Sequence, residues 1–211
     1  MSVVKHRVFI SYHHDNDQYY KDYLSKFGEA NDIFIDMSVD TGDIDENLDD
    51  QTIRRKIRDE YIKDASVLIL LVGTETKNRK HIDWEIYTSM YDGAINKKLG
   101  ILVVQLPSIS PQYYRAPHGN GEKEKLYPKT SSWIHISSRA EYERRYPYLP
   151  ARIIDNLIAK GVKISITRWA DITNNDHTLN KDNLSKLIDW AFQDKSDCEY
   201  DLSRSMRRNN A

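Results

Sequence analysis

The stretch Ser66-Val67-Leu68-Ile69-Leu70-Leu71-Val72-Gly73-Thr74 decides the fold class of this 211-residue chain. Residues 67–72 are six consecutive apolar side chains, too apolar for a strand with one face in water. Such a run is typical of a central strand in a parallel sheet that is covered on both faces. Gly73 and Thr74 mark the point where this strand ends.

Three shorter apolar runs accompany this strand along the chain. Residues 8–10, 33–35 and 101–104 each precede polar residues, as expected where a buried parallel strand reaches the edge of its sheet. The second run is followed by a loop over 37–50 that holds six carboxylates. Loops of this length are commonly functional or mobile, and a role as a lid over a site is one hypothesis.

Helical segments separate the four predicted strands. The first helix is predicted to begin at Asp15 or Asn16 and to end at Gly28, because its apolar residues repeat at helical spacing. Two more helices are predicted over 52–64 and 80–94. The strict alternation of strands and helices predicts an α/β fold in three layers, an open parallel sheet with helices on both faces.

The second half of the chain has weaker patterns. Residues 107–131 are rich in Pro, Gly, Tyr and Lys and predict an extended insertion. Residues 133–136 are the candidate for a fifth strand. Short helices are predicted over 138–145 and 150–160, and a last helix over 183–192.

These patterns predict one domain with two additions. An α/β domain is expected over 1–136, including the insertion around 107–131. A helical or irregular extension over 137–193 is expected to pack on the same domain. A polar, flexible tail is expected over 194–211.

The composition argues against several classes of function. The formal net charge of -1 leaves no excess of basic side chains to neutralise nucleic-acid phosphates or an anionic membrane surface. The single cysteine, Cys198, cannot form an internal disulfide and provides no cysteine-based metal site. No apolar run is long enough to span a bilayer or to act as a signal peptide, so a cytoplasmic location is expected.

Polar side chains follow the predicted strands where each strand ends. Ligands of open α/β sheets bind beyond the carboxyl ends of the strands, so these side chains are candidates for one common site. No glycine-rich phosphate loop of the Rossmann or P-loop type follows any strand, and adjacent His13 and His14 lack a third ligand for a metal. The candidate substrate-binding residues are Ser11, Tyr12, His13, Asp36, Ser38, Thr74, Asp83 and Trp84.

Five stretches carry a resemblance to a known family. Residues 8–12, 34–36, 53–57, 67–72 and 84–86 resemble, in their order and spacing, the TIR-like domain family. Within that family the chain is most similar to the prokaryotic branch with a flavodoxin-type fold, which includes proteins of Thoeris antiphage defence. The resemblance covers roughly the first half of the chain in detail and implies a flavodoxin-like sheet followed by a C-terminal extension.

The resemblance also implies that the chain consumes NAD as its substrate, with no cofactor and no metal. Catalytic TIR domains place one glutamate beside the ribose next to nicotinamide, and Glu85 falls at that position. A carboxylate there stabilises the oxocarbenium-like state that forms as the N-glycosidic bond breaks. The product is expected to be a cyclic ADP-ribose-type signal for a partner effector, or ADP-ribose. A phage-derived trigger and a homo-oligomeric state remain open.

Departures from the family pattern leave other interpretations open. Asp83 stands where many TIR domains have Ser or Cys, and His13 and His14 stand where basic residues often follow the first strand. Asp83 could position the ribose or cap the helix, Trp84 could pack in the core, and Asp36 could start a turn. The alternative function is a non-catalytic TIR-like interaction module. A flavodoxin-type cofactor binder is less favoured, because the phosphate loop is absent.

Overall fold

The computed structural model describes residues 5–38, 48–94 and 97–210. Five strands form one sheet: β1 (His6–Ser11), β2 (Phe34–Asp36), β3 (Val67–Val72), β4 (Gly100–Gln105) and β5 (Ser165–Arg168). All neighbours pair in parallel, in the order β2-β1-β3-β4-β5. The predicted open parallel sheet is confirmed, and this strand order is that of flavodoxin-type folds.

β3 is the central strand, as its apolar sequence predicts. It pairs with β1 on one side and β4 on the other, with Val67 opposite both Val8 and Gly100. Successive side chains of a strand point to opposite faces of the sheet. Leu68, Leu70 and Val72 therefore enter one hydrophobic cluster, and the other three side chains of the strand enter a second cluster.

Helices cover both faces of the sheet, so the three-layer prediction is confirmed. The α-helices are α1 (His14–Ala30), α2 (Asp50–Lys56), α3 (Lys80–Met90), α4 (Asn120–Leu126), α5 (Arg139–Arg145), α6 (Ala151–Ile158) and α7 (Lys181–Asp194). The first cluster contains side chains of α2, α3, α5 and α6, and the second contains side chains of α1, α4 and α7. No helix within the described ranges is both long and apolar enough to cross a membrane.

The structure corrects the ends of several predicted helices. The helix predicted over 52–64 is α2, which a π-helical turn over Ile57–Tyr61 follows. α1 continues through Gly28 to Ala30, because the glycine serves packing and does not end the helix. A Cβ at Gly28 would lie 2.4 Å from the ring of Phe34 on β2, so the bare backbone lets the strand approach. α3 ends at Met90, short of the predicted residue 94, and Tyr91 is already extended.

The fifth strand is not the one that the sequence predicts. Residues 133–136 are irregular, and Trp133 and Ile134 are 38% and 69% exposed. The edge strand is β5, inside the predicted extension, where Ile164 and Ile166 are fully buried. The sheet thus needs residues beyond 136, and the extension is part of the same core.

The C-terminal residues pack against the body of the chain, whereas the sequence predicts a polar, flexible tail from 194 onward. Cys198 and Met206 are buried and belong to the hydrophobic cluster that contains α3 and α6. Cys198 and Met206 are isolated apolar residues among polar ones, so they produce no periodic pattern of apolar side chains. The sequence therefore does not predict that the C-terminal residues pack against the domain. The acidic loop predicted over 37–50, with its hypothetical lid role, lies largely outside the described residues, at 39–47.

Candidate active site

The strand order places a cleft at the carboxyl ends of β1 and β3. After β1 the chain moves outward to β2 and later returns to β3 on the other side, so the connections diverge between these two strands. Ligands of open α/β sheets bind at such a switch point. A cleft of about 530 Å³, including its open mouth, lies here. Its lining residues are Tyr12, His13, His14, Asp15, Arg79, His81, Ile82 and Glu85.

Glu85 is the buried carboxyl group of this cleft, with only 4% of the residue exposed. α3 carries it toward the end of β1, where the Ser11 hydroxyl donates a 2.6 Å hydrogen bond to its Oε2. Burial raises the pKa of Glu85 to about 7, and the hydrogen bond from Ser11 opposes that rise. The group therefore titrates near neutral pH, where it can either hold a proton or carry a charge.

Tyr12 and His14 form an aromatic wall of the cleft. Their rings are stacked, with centroids 4.5 Å apart and planes at 16°. The Tyr12 hydroxyl donates to Oε1 of Gln18 at 2.8 Å, which fixes the ring at the start of α1. A flat, rigid wall of this kind offers a stacking surface to a planar ligand ring.

His13 and Arg79 close the cleft on its polar side. The Arg79 Nε–H donates to Nε2 of His13 at 2.6 Å, and the Arg79 guanidinium lies 3.5 Å from the Asp15 carboxylate. Burial, and after it the charge of Arg79, lowers the pKa of His13. His13 is thus a neutral acceptor for the Arg79 N–H near pH 7.

Asp36, Ser38 and Thr74, which the sequence predicts as substrate-binding residues, lie outside the cleft lining. The Ser38 hydroxyl accepts a hydrogen bond from the Ile10 amide at 2.8 Å, and the Ser38 amide donates to Asp36 Oδ1 at 2.8 Å. The first bond holds the residues after β2 against β1, and the second stabilises the turn that follows β2. Thr74 follows β3 and is partly buried. The hydroxyl that accepts the hydrogen bond from the Gly73 amide at the end of β3 belongs to Thr76 and not to Thr74.

Asp83 and Trp84 also point away from the cleft. Both carboxylate oxygens of Asp83 accept from the Arg152 guanidinium, at 2.9 and 3.0 Å. Trp84 is fully buried, and its indole N–H donates to the Arg207 carbonyl at 2.7 Å. Successive helical residues are rotated by roughly 100°, so these two side chains face the C-terminal segment while Glu85 faces the cleft.

The part of the chain that builds the cleft matches a known family. Residues 9–110 match the model of the Thoeris protein ThsB, TIR-like domain. They form a TIR-like domain of the ThsB family. The matched range contains every residue that lines the cleft, together with Ser11. No curated protein matches the chain.

The TIR-like domain contains a further buried carboxyl group, which the sequence did not single out. Asp17 is 1% exposed, and burial raises its pKa to about 6. A Cβ on Gly73 would lie 2.5 Å from both Asp17 carboxylate oxygens, so the glycine at the end of β3 makes room for this group. The only sequence signal was an acidic residue in the first turn of α1, a position that is common for structural reasons.

Arg79 is a cleft residue of the TIR-like domain that the sequence did not indicate. It precedes the first residue of α3, after a short 3₁₀ turn over Thr76–Asn78 that the pattern of apolar residues does not show. No group of three His, Cys, Asp or Glu side chains in the described ranges is placed to hold a metal ion. The groups that this cleft offers to a ligand are Glu85 with its donor Ser11, the aromatic wall and the Arg79–His13 pair.

Proposed function

We propose that this defence-related TIR-like protein cleaves the nicotinamide–ribose bond of NAD, with Glu85 as the catalytic residue. The observation that carries the proposal is a buried carboxyl group with one described hydrogen-bond donor, Ser11, at the switch point of a ThsB-family TIR-like domain. The TIR-like family is associated with NAD-related activity. The raised pKa of Glu85 is typical of a residue kept for chemistry, because burial without a cationic partner does not stabilise the fold.

The geometry suits a reaction that develops positive charge on the ribose. Breaking the N-glycosidic bond gives an oxocarbenium-like transition state, and nicotinamide departs as a neutral molecule without a general acid. A carboxylate that is shielded from water stabilises this charge more strongly than an exposed one. Ionised Glu85 is therefore expected to interact more favourably with the transition state than with water in the empty cleft.

The rest of the cleft offers complementary contacts to the dinucleotide. The wall of Tyr12 and His14 can stack on a planar ring, and Arg79 supplies a permanent positive charge for a phosphate. We propose that the ribosyl cation is captured within NAD itself to give a cyclic ADP-ribose-type signal for a partner effector, or by water to give ADP-ribose. Activation by a phage-derived trigger and self-association into a homo-oligomer belong to the same proposal.

The test is release of nicotinamide from NAD by the purified protein, with and without extract from phage-infected cells, followed by chromatography. Glu85→Gln keeps the size of the side chain and removes its charge, so the rate should fall about 100-fold or more. Glu75→Gln is the matched control, because Glu75 is exposed in the turn before α3 and does not line the cleft. Equal rates for wild type and Glu85→Gln would refute the role of Glu85.

A non-catalytic interaction module remains the second candidate, and one observation favours it. Trp133, Ile134 and Ile158 are exposed apolar side chains in the second half of the chain, at 38%, 69% and 39%. Exposed apolar residues of this size are common at surfaces that bind other proteins. This function predicts concentration-dependent association that Glu85→Gln leaves unchanged, with no nicotinamide released under any trigger.

A further inference from the structure

The C-terminal segment, residues 204–210, lies along the amino-terminal end of α3 and is held there mainly through its backbone. The Arg207 amide donates to Asp83 Oδ2 at 2.8 Å, and the Arg207 carbonyl accepts from the Trp84 indole. The Lys80 amide, the first of α3, donates to Asn210 Oδ1 at 3.0 Å. Because these bonds use the backbone of Arg207, its guanidinium is left for another role.

A second cleft of about 530 Å³ opens between this segment and α3. It lies on the Asp83 side of the helix, whereas the Glu85 cleft lies on the other side. Arg79 lines both clefts and stands between them. The other lining residues of the second cleft are Thr76, Lys77, Asp83, Pro150, Ala151, Arg204, Ser205 and Arg207.

The second cleft has an excess of positive charge. Its acidic lining residue, Asp83, is already neutralised by Arg152, and Arg204 shares the carboxylate of Asp155 with Arg139. Three cations, Lys77, Arg79 and Arg207, remain around the same space.

These three cations are poorly compensated within the part of the chain that the structure describes. Lys77 Nζ donates to the Pro147 carbonyl, a neutral acceptor, at 2.7 Å. Arg79 donates to neutral His13 and has one described ion pair, with the exposed carboxylate of Asp15 at 3.5 Å. Arg207 forms no ion pair with a carboxylate among the described residues, and its Nη1 is buried there without a hydrogen-bond acceptor. A buried guanidinium N–H without an acceptor is costly, and a bound anion would supply the missing acceptor.

We propose that this second cleft is a phosphate-binding site, in which the Arg207 and Lys77 side chains bind the phosphoryl oxygens and Arg79 links the site to the Glu85 cleft. Guanidinium groups bind phosphate oxygens through paired, charge-assisted N–H donors. The source of the phosphate rests on the proposed function: the diphosphate of NAD occupies the site when the nicotinamide ribose lies beside Glu85. The C-terminal segment thereby becomes part of the substrate-binding surface.

The test uses the full-length chain carrying Glu85→Gln, so that no turnover interferes, and inorganic pyrophosphate as the probe in isothermal titration calorimetry. Adding Arg207→Ala should weaken pyrophosphate binding about ten-fold or more, since hydrogen bonds to a charged group are lost. Arg208→Ala is the matched control. Arg208 is adjacent and carries the same charge, but its guanidinium contacts Asp50 and the Leu48 carbonyl, outside the cleft. It should leave pyrophosphate binding unchanged.

A second variant protects the test against misfolding. Should Arg207→Ala shift the thermal unfolding of the protein, Lys77→Ala must show the same loss of pyrophosphate affinity. No pyrophosphate binding, or equal binding by both variants and the control, would overturn the proposal.

Competition with NAD identifies the source of the phosphate. Displacement of pyrophosphate by NAD assigns the site to the substrate, and binding without competition overturns NAD as the source while the phosphate site stands. Because the readout is binding, its result is independent of whether the wild-type chain releases nicotinamide.

Discussion

α3 carries two carboxylates, Asp83 and Glu85, with opposite surroundings. Both are nearly buried, at 9% and 4% exposure. Asp83 accepts three hydrogen bonds, two from Arg152 and one from the Arg207 amide, and all of its charge is compensated. Glu85 accepts one described hydrogen bond, from the neutral hydroxyl of Ser11, and no cation is paired with it among the described residues.

The difference shows that the partners of a buried carboxylate decide its role more than its depth does. Arg152 makes Asp83 a structural link between α3, α6 and the C-terminal segment. Burial without a cationic partner instead makes the charge of Glu85 unfavourable, which is why its pKa rises to about 7. A cationic ligand, or a transition state that develops positive charge, would give Glu85 the cationic partner that it lacks among the described residues.

Removing the Asp83 carboxylate should have the largest effect on the stability of the protein. Asp83→Ala leaves the Arg152 guanidinium, whose side chain is 0% exposed, without its counter-charge. We expect a loss of about 3–5 kcal/mol in the free energy of unfolding, measured by urea denaturation at pH 7. The double variant Asp83→Leu/Arg152→Met should recover most of this loss, because no charge is then buried. A double variant as unstable as the sum of its single changes would contradict this account.

Removing the charge of Glu85 should change the free energy of unfolding in the opposite direction, by stabilising the protein, and by a smaller amount. The pKa of Glu85 is about 7 in the folded chain against an ordinary 4.5, so the folded form holds its proton more tightly. The associated stability is fully present below about pH 4.5 and is lost as the pH rises through about 7. Glu85→Gln never acquires the buried charge, so it should be more stable than wild type at pH 8 by up to about 3 kcal/mol.

Urea denaturation at pH 5 and at pH 8 measures this difference between wild type and Glu85→Gln. The gain should be small at pH 5, where the wild-type carboxyl group keeps its proton. Asp17→Asn is a matched control, because burial also raises the pKa of Asp17, to about 6, so its gain should develop at lower pH. A gain for Glu85→Gln of the same size at both pH values would show that the titration of Glu85 is not its cause.

The sheet could be predicted from the sequence where the strands are continuously apolar. β3 and β4 are buried on both faces and have no polar interruption, so their residues alone identify them. β5 alternates Ser165 and Thr167 with isoleucine and arginine, and it is an edge strand. The stretch at 133–136 has the stronger local propensity but no neighbouring strand, so propensity alone selected the wrong segment.

The candidate site could be predicted from the sequence only in part. Residues far away in the sequence decide which face of α3 lines the cleft and which face packs against the rest of the chain. The family resemblance selected Glu85, and Asp83 and Trp84 entered the predicted substrate site as its neighbours in the same family motif. Their true contacts are with Arg152 and the Arg207 backbone, which no short-range pattern connects to α3. The rotation of a helix shows which side chains share a face, and only tertiary packing shows what that face meets.

Ser11→Ala makes the smallest change to the surroundings of Glu85, because it removes a single hydrogen bond to the carboxyl group. That bond lowers the pKa of Glu85, so its loss should raise the pKa further above 7. If ionised Glu85 stabilises the ribosyl cation, kcat/KM for NAD rises with pH through that pKa, and the profile of Ser11→Ala should move upward by about one pH unit. Tyr12→Phe is the control, because it removes the hydroxyl that donates to Gln18, keeps the ring and does not touch the Ser11–Glu85 bond, so it should keep the wild-type profile. A lower rate without a displaced profile would mean that Ser11 positions the substrate and that another group sets the pH dependence.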